Sequence, residues 1–206
     1  MDRTGLQHYL SVSTYIDFND PDVLAAARRL ASGAGSEADV VRACFAFVRD
    51  EIAHSADFRR NPVTCRASDV LRHGTGFCYA KSHLLAALLR ANGIPAGLCY
   101  QRLATGDSAA PYCLHGLNAV YLADFGWYRL DPRGNKPGVD ARFDPPREVL
   151  PFTPSGPQEG DLPGIHAEPL PVVVEVLEIC ATYDAVLAAL PDAEFAMEAA
   201  ACIMAP

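Results

Sequence analysis

Apolar positions along this chain fall first at helical spacing, then at strand spacing, then at helical spacing again. Val23, Leu24, Ala27 and Leu30 predict a helix. Asn19-Asp20-Pro21 opens it with a polar cap and a proline at the first helical position, and Gly33 closes it. Ser36 with Asp39 resembles a capping box in which aspartate replaces the usual, longer glutamate. Behind it Val40, Val41, Cys44, Phe45, Phe47, Val48 and Ile52 predict a strongly apolar, buried helix. His54 to Thr64 is polar and reads as irregular, and a short helix is expected near Ala67 to Leu71. After Gly74-Thr75-Gly76-Phe77-Cys78 comes a long helical run, Tyr79 to Ala91, whose apolar stripe is Leu84, Leu85, Leu88 and Leu89. Asn92-Gly93 ends it.

The period then changes. Ile94-Pro95 leads into a strand over Ala96 to Leu103, and Thr105 to Pro111 reads as a loop. Leu114 to Leu122 and Trp127 to Leu130 predict two antiparallel strands around an Asp124-Phe125-Gly126 turn. Prolines recur from Asp144 to Pro171 and predict a long, ordered but irregular wrap. Helical period returns from Val172 to Leu190 through Val173, Val176, Cys180, Tyr183 and Leu187. With no internal repeat, this order predicts one α+β domain. Residues 1–150 form its core, and residues 151–206 a proline-rich wrap and helical extension packed on the same domain.

Composition narrows the partners. A chain of 206 residues buries roughly 70% of its unfolded surface, enough for a sizeable core. Its 17 basic and 25 acidic side chains leave a formal charge of −8. That balance disfavours nucleic-acid backbones and anionic membrane surfaces. Met1 to Phe18 lacks the pattern of a signal peptide, and no apolar run is long enough to span a bilayer. The seven cysteines are Cys44, Cys65, Cys78, Cys99, Cys113, Cys180 and Cys202. Their odd number and their spacing suit neither zinc nor a disulfide framework, so a reducing, cytoplasmic location is expected.

Chemistry concentrates at Cys78. Two glycines precede it and let the backbone turn sharply into the following helix. A cysteine at such an entry sits among unpaired N–H groups at the positive end of the helix dipole, which favours thiolate over thiol. The same N–H groups can donate to an oxyanion on an attacked carbonyl. The plain alternative is a small buried residue at a helix start, which cysteine often is.

Partners decide between these readings. His115 begins one expected strand and Asp131 ends the next, so a hairpin can bring them together. Facing residues share a side and side chains alternate, so paired residue numbers must sum to an even value. A sum of 246 sets His115 opposite Asp131, and 248 makes them diagonal neighbours. An odd sum puts them on opposite faces. Taken singly, His115 fits a satisfied core histidine and Asp131-Pro132 a strand stop. Taken together, the three residues are the nucleophile, base and orienting acid of a cysteine enzyme.

The Gly-x-Gly-x-Cys helix entry at 74–78, the Ala-Leu-Leu-Arg-Ala-Asn-Gly-Ile-Pro-Ala run before a strand, His115 and the Trp-Tyr-Arg-Leu-Asp-Pro segment at 127–132 resemble the transglutaminase-like superfamily. The resemblance covers roughly Phe45 to Asp131, with an echo from Pro21. It implies an α+β, papain-like fold whose nucleophile-bearing helix packs on an antiparallel sheet. It also implies a Cys-His-Asp triad: Cys78 as nucleophile, His115 as general base and acid, and Asp131 orienting the imidazole. His115 follows Cys78 by 115 − 78 = 37 residues, whereas papain-type enzymes place their histidine over about a hundred residues downstream. Arylamine acetyltransferases are similar too, but their arginine-glycine-glycine approach is replaced by Gly74-Thr75-Gly76, which counts against coenzyme A.

The implied reaction is acyl transfer from an amide or peptide bond through a thioester, as an amidase or peptidase acting on a peptide or protein amide. Transfer to an amine and a non-catalytic peptide-binding domain of the same fold are the alternatives. No metal and no organic cofactor are implied, and the oligomeric state stays open. Gly76, Tyr79, Trp127 and Arg133 are the substrate-binding candidates. Arg133 suits a substrate carboxylate or a loop salt bridge, and Trp127 suits the core or a lid over the triad. Lys81 and Ser82 are discounted as surface or packing residues, Asn118 because it lies three residues past His115 and so faces the histidine's side of the sheet less well, and Cys99 and Cys113 as inert thiols.

Overall fold

The expected helix starts are made by the expected caps. The computed structural model describes residues 3–106 and 111–193. Its first α-helix, α1 (Pro21–Ala31), begins where Asp20 accepts from the N–H groups of Asp22 and Val23. α2 (Glu37–Glu51) begins at Ser36, whose hydroxyl accepts from the Asp39 N–H. Asp39, one carbon shorter than glutamate, accepts a hydrogen bond from the Ser36 hydroxyl at 2.7 Å. β1 (Ala53–His54), α3 (Ser55–Phe58), α4 (Ala67–His73) and β2 (Thr75–Gly76) then lead to α5 (Cys78–Ala91). The stretch expected to be irregular thus carries a strand: β1 runs parallel to β2, with His54 paired to Gly76. A 3₁₀ helix over Arg3–Leu10 was not signalled by the sequence pattern.

α5 is the hub. From Cys78 through Arg90 every residue is buried, with α1, α2 and α4 on one side and the sheet on the other. A helix enclosed all round needs apolar residues all round, or polar ones with partners. Leu84, Leu85, Leu88 and Leu89 supply the first. The polar residues catch backbone carbonyls. Lys81 Nζ donates to Ile52 at 2.5 Å and to Arg49 at 3.3 Å. His83 Nδ1 meets Cys65 O at 2.7 Å, and Arg90 donates to the carbonyls of Ser11, Ala96 and Ala167. Lys81 and Ser82 are therefore packing residues, not surface ones.

The sheet comprises β3 (Ala96–Ala104), β4 (Tyr112–Leu122), β5 (Gly126–Leu130) and, after a separate hairpin of β6 (Arg142–Asp144) and β7 (Arg147–Val149), β8 (Gly160–Asp161). Its order is β5-β4-β3-β8, antiparallel throughout. The mixed helix and antiparallel sheet give the expected α+β class. β8 comes from the proline-rich stretch, so that stretch completes the sheet edge as well as wrapping it. Leu162, Leu170 and Val173 pack on the same core as α5. The final helical period is two helices, α6 (Pro171–Ile179) and α7 (Tyr183–Ala188). Cys180 takes extended backbone between them, and the Thr182 hydroxyl accepts from Ala185 N–H to start the second. Part of the Thr105–Pro111 loop, residues 107–110, lies outside the described residues, as does the end of the extension with Cys202. No helix among the described residues is long and apolar enough to cross a membrane.

Candidate active site

The approach to Cys78 is built by close packing. Gly74 closes α4 in the left-handed region at φ 62°, a conformation that a side chain makes costly. Gly76 serves by size: a Cβ there would meet Ala80 Cβ and Thr64 Oγ1 at 3.2 Å. Cys78 is then the first residue of α5, and Phe77 before it offers no side-chain cap. The N–H groups of the first turn stay available at the positive helix end. β4 runs alongside. Gly116 presses on Tyr79 so closely that a Cβ would lie 2.9 Å from the Tyr79 ring. Tyr79 in turn donates its hydroxyl to the Leu114 carbonyl, and Gly116 N–H points to Cys78 Sγ at 3.5 Å.

β4 and β5 pair with Asn118 opposite Leu130, a sum of 248. That is the even register, with His115 and Asp131 as diagonal neighbours on one face. His115 Nε2 meets Asp131 Oδ2 at 2.5 Å, and the second carboxylate oxygen accepts from Arg133 N–H at 2.8 Å. The ring also interacts with Cys78. Burial disfavours a charged imidazole here. The Asp131 carboxylate and the Cys78 sulfur outweigh it and push the His115 pKa up to about 10. The structure brings Cys78, His115 and Asp131 together.

Cys78 and His115 open into a cleft of about 490 Å³, the size of a small-ligand or side-chain site. Tyr79 and Arg133 line it with Cys78 and His115, and so do His54, Phe152 and Glu159. The Phe152 and His115 rings meet edge to face, with their centres 4.9 Å apart. Glu159 is held as a carboxylate, its pKa lowered to about 2 by N–H groups of Ala104, Ser155 and Gly156. His54 is held neutral: burial, then the Arg133 cation, keep its pKa well below 6.5. Sequence reasoning passed over all three, because nothing local marks a residue that a distant loop carries into a cleft.

Trp127 is elsewhere. It shares a face with Asp131 but lies four residues along β5, about 13 Å at strand rise. There it packs on Tyr9 and Tyr121 and lines a separate cavity with Cys99 and Ile165. Asn118 is buried and donates to Ser82 O and Gly97 O, tying sheet to helix. Burial pushes the Cys99 and Cys113 thiols up to about 12, as befits unreactive cysteines. Among the described residues no cluster of three His, Cys, Asp or Glu side chains could hold a metal ion.

Comparison with curated proteins finds no match. Among solved structures, the fold is similar to that of a candidate cysteine protease from Cytophaga hutchinsonii, with 19% identity and a TM-score of 0.51 over 65% of this chain and 43% of that one. It is also similar to the periplasmic domain of TgpA from Pseudomonas aeruginosa, with 22% identity and a TM-score of 0.49 over 64% of this chain and 48% of that one. The chain spans less than half the length of either. The model of the transglutaminase-like superfamily matches residues 24–132, more than half of the 206-residue chain, and the protein belongs to that family.

Proposed function

We propose that the protein is a cysteine acyl-transfer enzyme that hydrolyses an amide or peptide bond, with Cys78 as nucleophile, His115 as base and acid, and Asp131 as the group orienting the imidazole. The observation that carries this reading is the 2.5 Å contact between His115 Nε2 and Asp131, beside the interaction of the same ring with Cys78. Cys78 passes its proton to His115, and the sulfur attacks the substrate carbonyl. The N–H of Cys78, at the uncapped start of α5, receives the oxyanion. His115 then protonates the leaving amine, and a thioester remains.

Deacylation needs the opposite behaviour from the same ring. Acylation removes the negative charge on sulfur, one of the two charges that hold a proton on His115. The ring, neutral once it has given its proton to the amine, can then take a proton from the attacking water, which frees the acid, and return that proton to the sulfur to regenerate the thiol. Hydrolysis is favoured over amine transfer by the likeness to a candidate cysteine protease. Tyr79 and Arg133 contribute to the substrate cleft in this proposal, whereas Gly76 does not line it and packs against Ala80 and Thr64 instead. A reducing, cytoplasmic location belongs to the same reading, supported by free thiols at all six described cysteines.

The test is the rate of Cys78 alkylation by iodoacetamide across pH, in wild type and in His115→Ala. Fast labelling at pH 6, well below the ordinary thiol range, and its loss in the variant support the reading. Labelling no faster than that of a free cysteine in wild type would discard it. Mass spectrometry of the acyl-enzyme, with and without a primary amine, then separates hydrolysis from transfer.

A further inference from the structure

Arg133 is 7% exposed, and its Nη1 has no hydrogen-bond partner among the described residues. A buried guanidinium arm without an acceptor is costly, since its desolvation goes uncompensated. The other arm is occupied: Nη2 meets Asp57 Oδ2 at 2.9 Å. The same carboxylate takes Lys136 at 2.5 Å. One negative charge therefore faces two positive ones, and the group keeps a surplus of positive charge.

Arg133 lines the reacting cleft together with Cys78 and His115, and it also borders a second cavity beside Asp57 and Lys136. Its guanidinium carbon lies 5.7 Å from the centre of the Phe152 ring, whose centre is 4.9 Å from that of His115. A single aromatic ring thus touches both the base and the arginine. His54, the other neighbour of Asp57, at 3.7 Å, offers no competing anion. Glu159, the cleft's own carboxylate, is already held by N–H groups of Ala104, Ser155 and Gly156.

We propose that Arg133 is a specificity residue that takes a substrate carboxylate placed within about one residue of the bond attacked by Cys78, so that the cleft selects acidic amides over neutral ones. This rests on the reading of Cys78 as nucleophile and adds the substrate class. A charge-assisted hydrogen bond from the free arm meets the unfilled donor and the surplus charge at once. The carboxylate can be the free α-carboxylate of a chain end or the side chain of an acidic residue.

Two pairs of alkylating probes test this and separate the two sources: N-chloroacetylglycine against its amide, and N-chloroacetylglutamate α-amide against the glutamine analogue. In each, the sulfur displaces chloride from the same carbon, so the ratio within a pair reports recognition. Wild type is expected to react about tenfold or more faster with the acid of one pair, and the favoured pair identifies the source. The ratio should fall toward one in Arg133→Gln and severalfold in Arg133→Lys, which keeps the charge but loses the fork; circular dichroism checks folding. Ratios near one in wild type with rapid labelling overturn this proposal alone, and so does a ratio that survives both substitutions. Labelling by all four probes at free-thiol rates overturns the nucleophile reading and this proposal with it.

Discussion

The backbone N–H of Gly116 points at Cys78 Sγ from 3.5 Å, across 38 residues of sequence. It does so because β4 approaches α5 without a side chain in between, in contact with the Tyr79 backbone and ring. The residue before this glycine is His115. Whatever separates Gly116 from α5 also separates the ring from the sulfur.

Gly116→Ala tests that spacing. The added Cβ would sit 2.9 Å from Tyr79 Cδ1 and 3.1 Å from Tyr79 Cα, and backbone cannot yield as a flexible side chain can. Overpacking of this kind costs about 1–3 kcal/mol. The expected outcome is that loss in urea unfolding, with a tenfold or greater fall in Cys78 alkylation rate while the variant is still folded.

Asp131→Asn removes the carboxylate that opposes burial at His115. The ring pKa should fall from about 10 to a value governed by burial, readable by NMR titration. Cys78-dependent activity should drop by about 10²- to 10⁴-fold. Because the folded value lies above the ordinary 6.5, His115 contributes stability in full below pH 6.5, and that contribution declines as pH rises toward 10. The stability gap between wild type and Asp131→Asn should shrink over that window.

His83 shifts the other way. Burial first, offset by its bond to Cys65, lowers its pKa to about 4. The unfolded chain therefore takes up a proton near pH 6.5 that the folded one refuses. Stability is lost as pH falls from 6.5 toward 4, by up to about 3 kcal/mol at about 1.4 kcal/mol per tenfold. Urea midpoints at pH 7 and pH 4.5 measure it, and His83→Gln should flatten much of that slope.

Arg90→Met should unfasten three parts of the chain together. Its guanidinium donates to Ser11, Ala96 and Ala167, from the N-terminal segment, β3 and the proline-rich stretch. Leaving those carbonyls without their donor is expected to cost about 3 kcal/mol or more. Limited proteolysis should then cut first near Ser11 and Ala167.

The site was legible where its logic is local or a matter of parity. The glycines and cysteine at 74–78 announce a helix entry, and alternation sets the condition that His115 and Asp131 meet only in an even register, which the pairing of β4 with β5 meets. What stayed hidden depends on distant chain. α5 reads as a helix with one apolar stripe, yet it is enclosed on every side. Whether Lys81 and His83 lie inside is decided by carbonyls at Arg49, Ile52 and Cys65, which leave no mark on the helix sequence. β1 and β2, two residues each, are too short to show a period. Trp127 shows the limit of parity: the alternation puts it on the same face as Asp131, but not at the same end.

Phe152 carries the last consequence. It belongs, with Pro151, Thr153, Ser155, Glu159, Leu187 and Leu190, to the part of the cleft wall that lies beyond residue 132, where the family match ends. In the proposed enzyme all three reacting groups thus lie inside the matched stretch, while much of the wall that a substrate meets lies outside it. Substitutions at Phe152, Leu187 or Leu190 can therefore reshape what the cleft admits while the reacting atoms stay untouched.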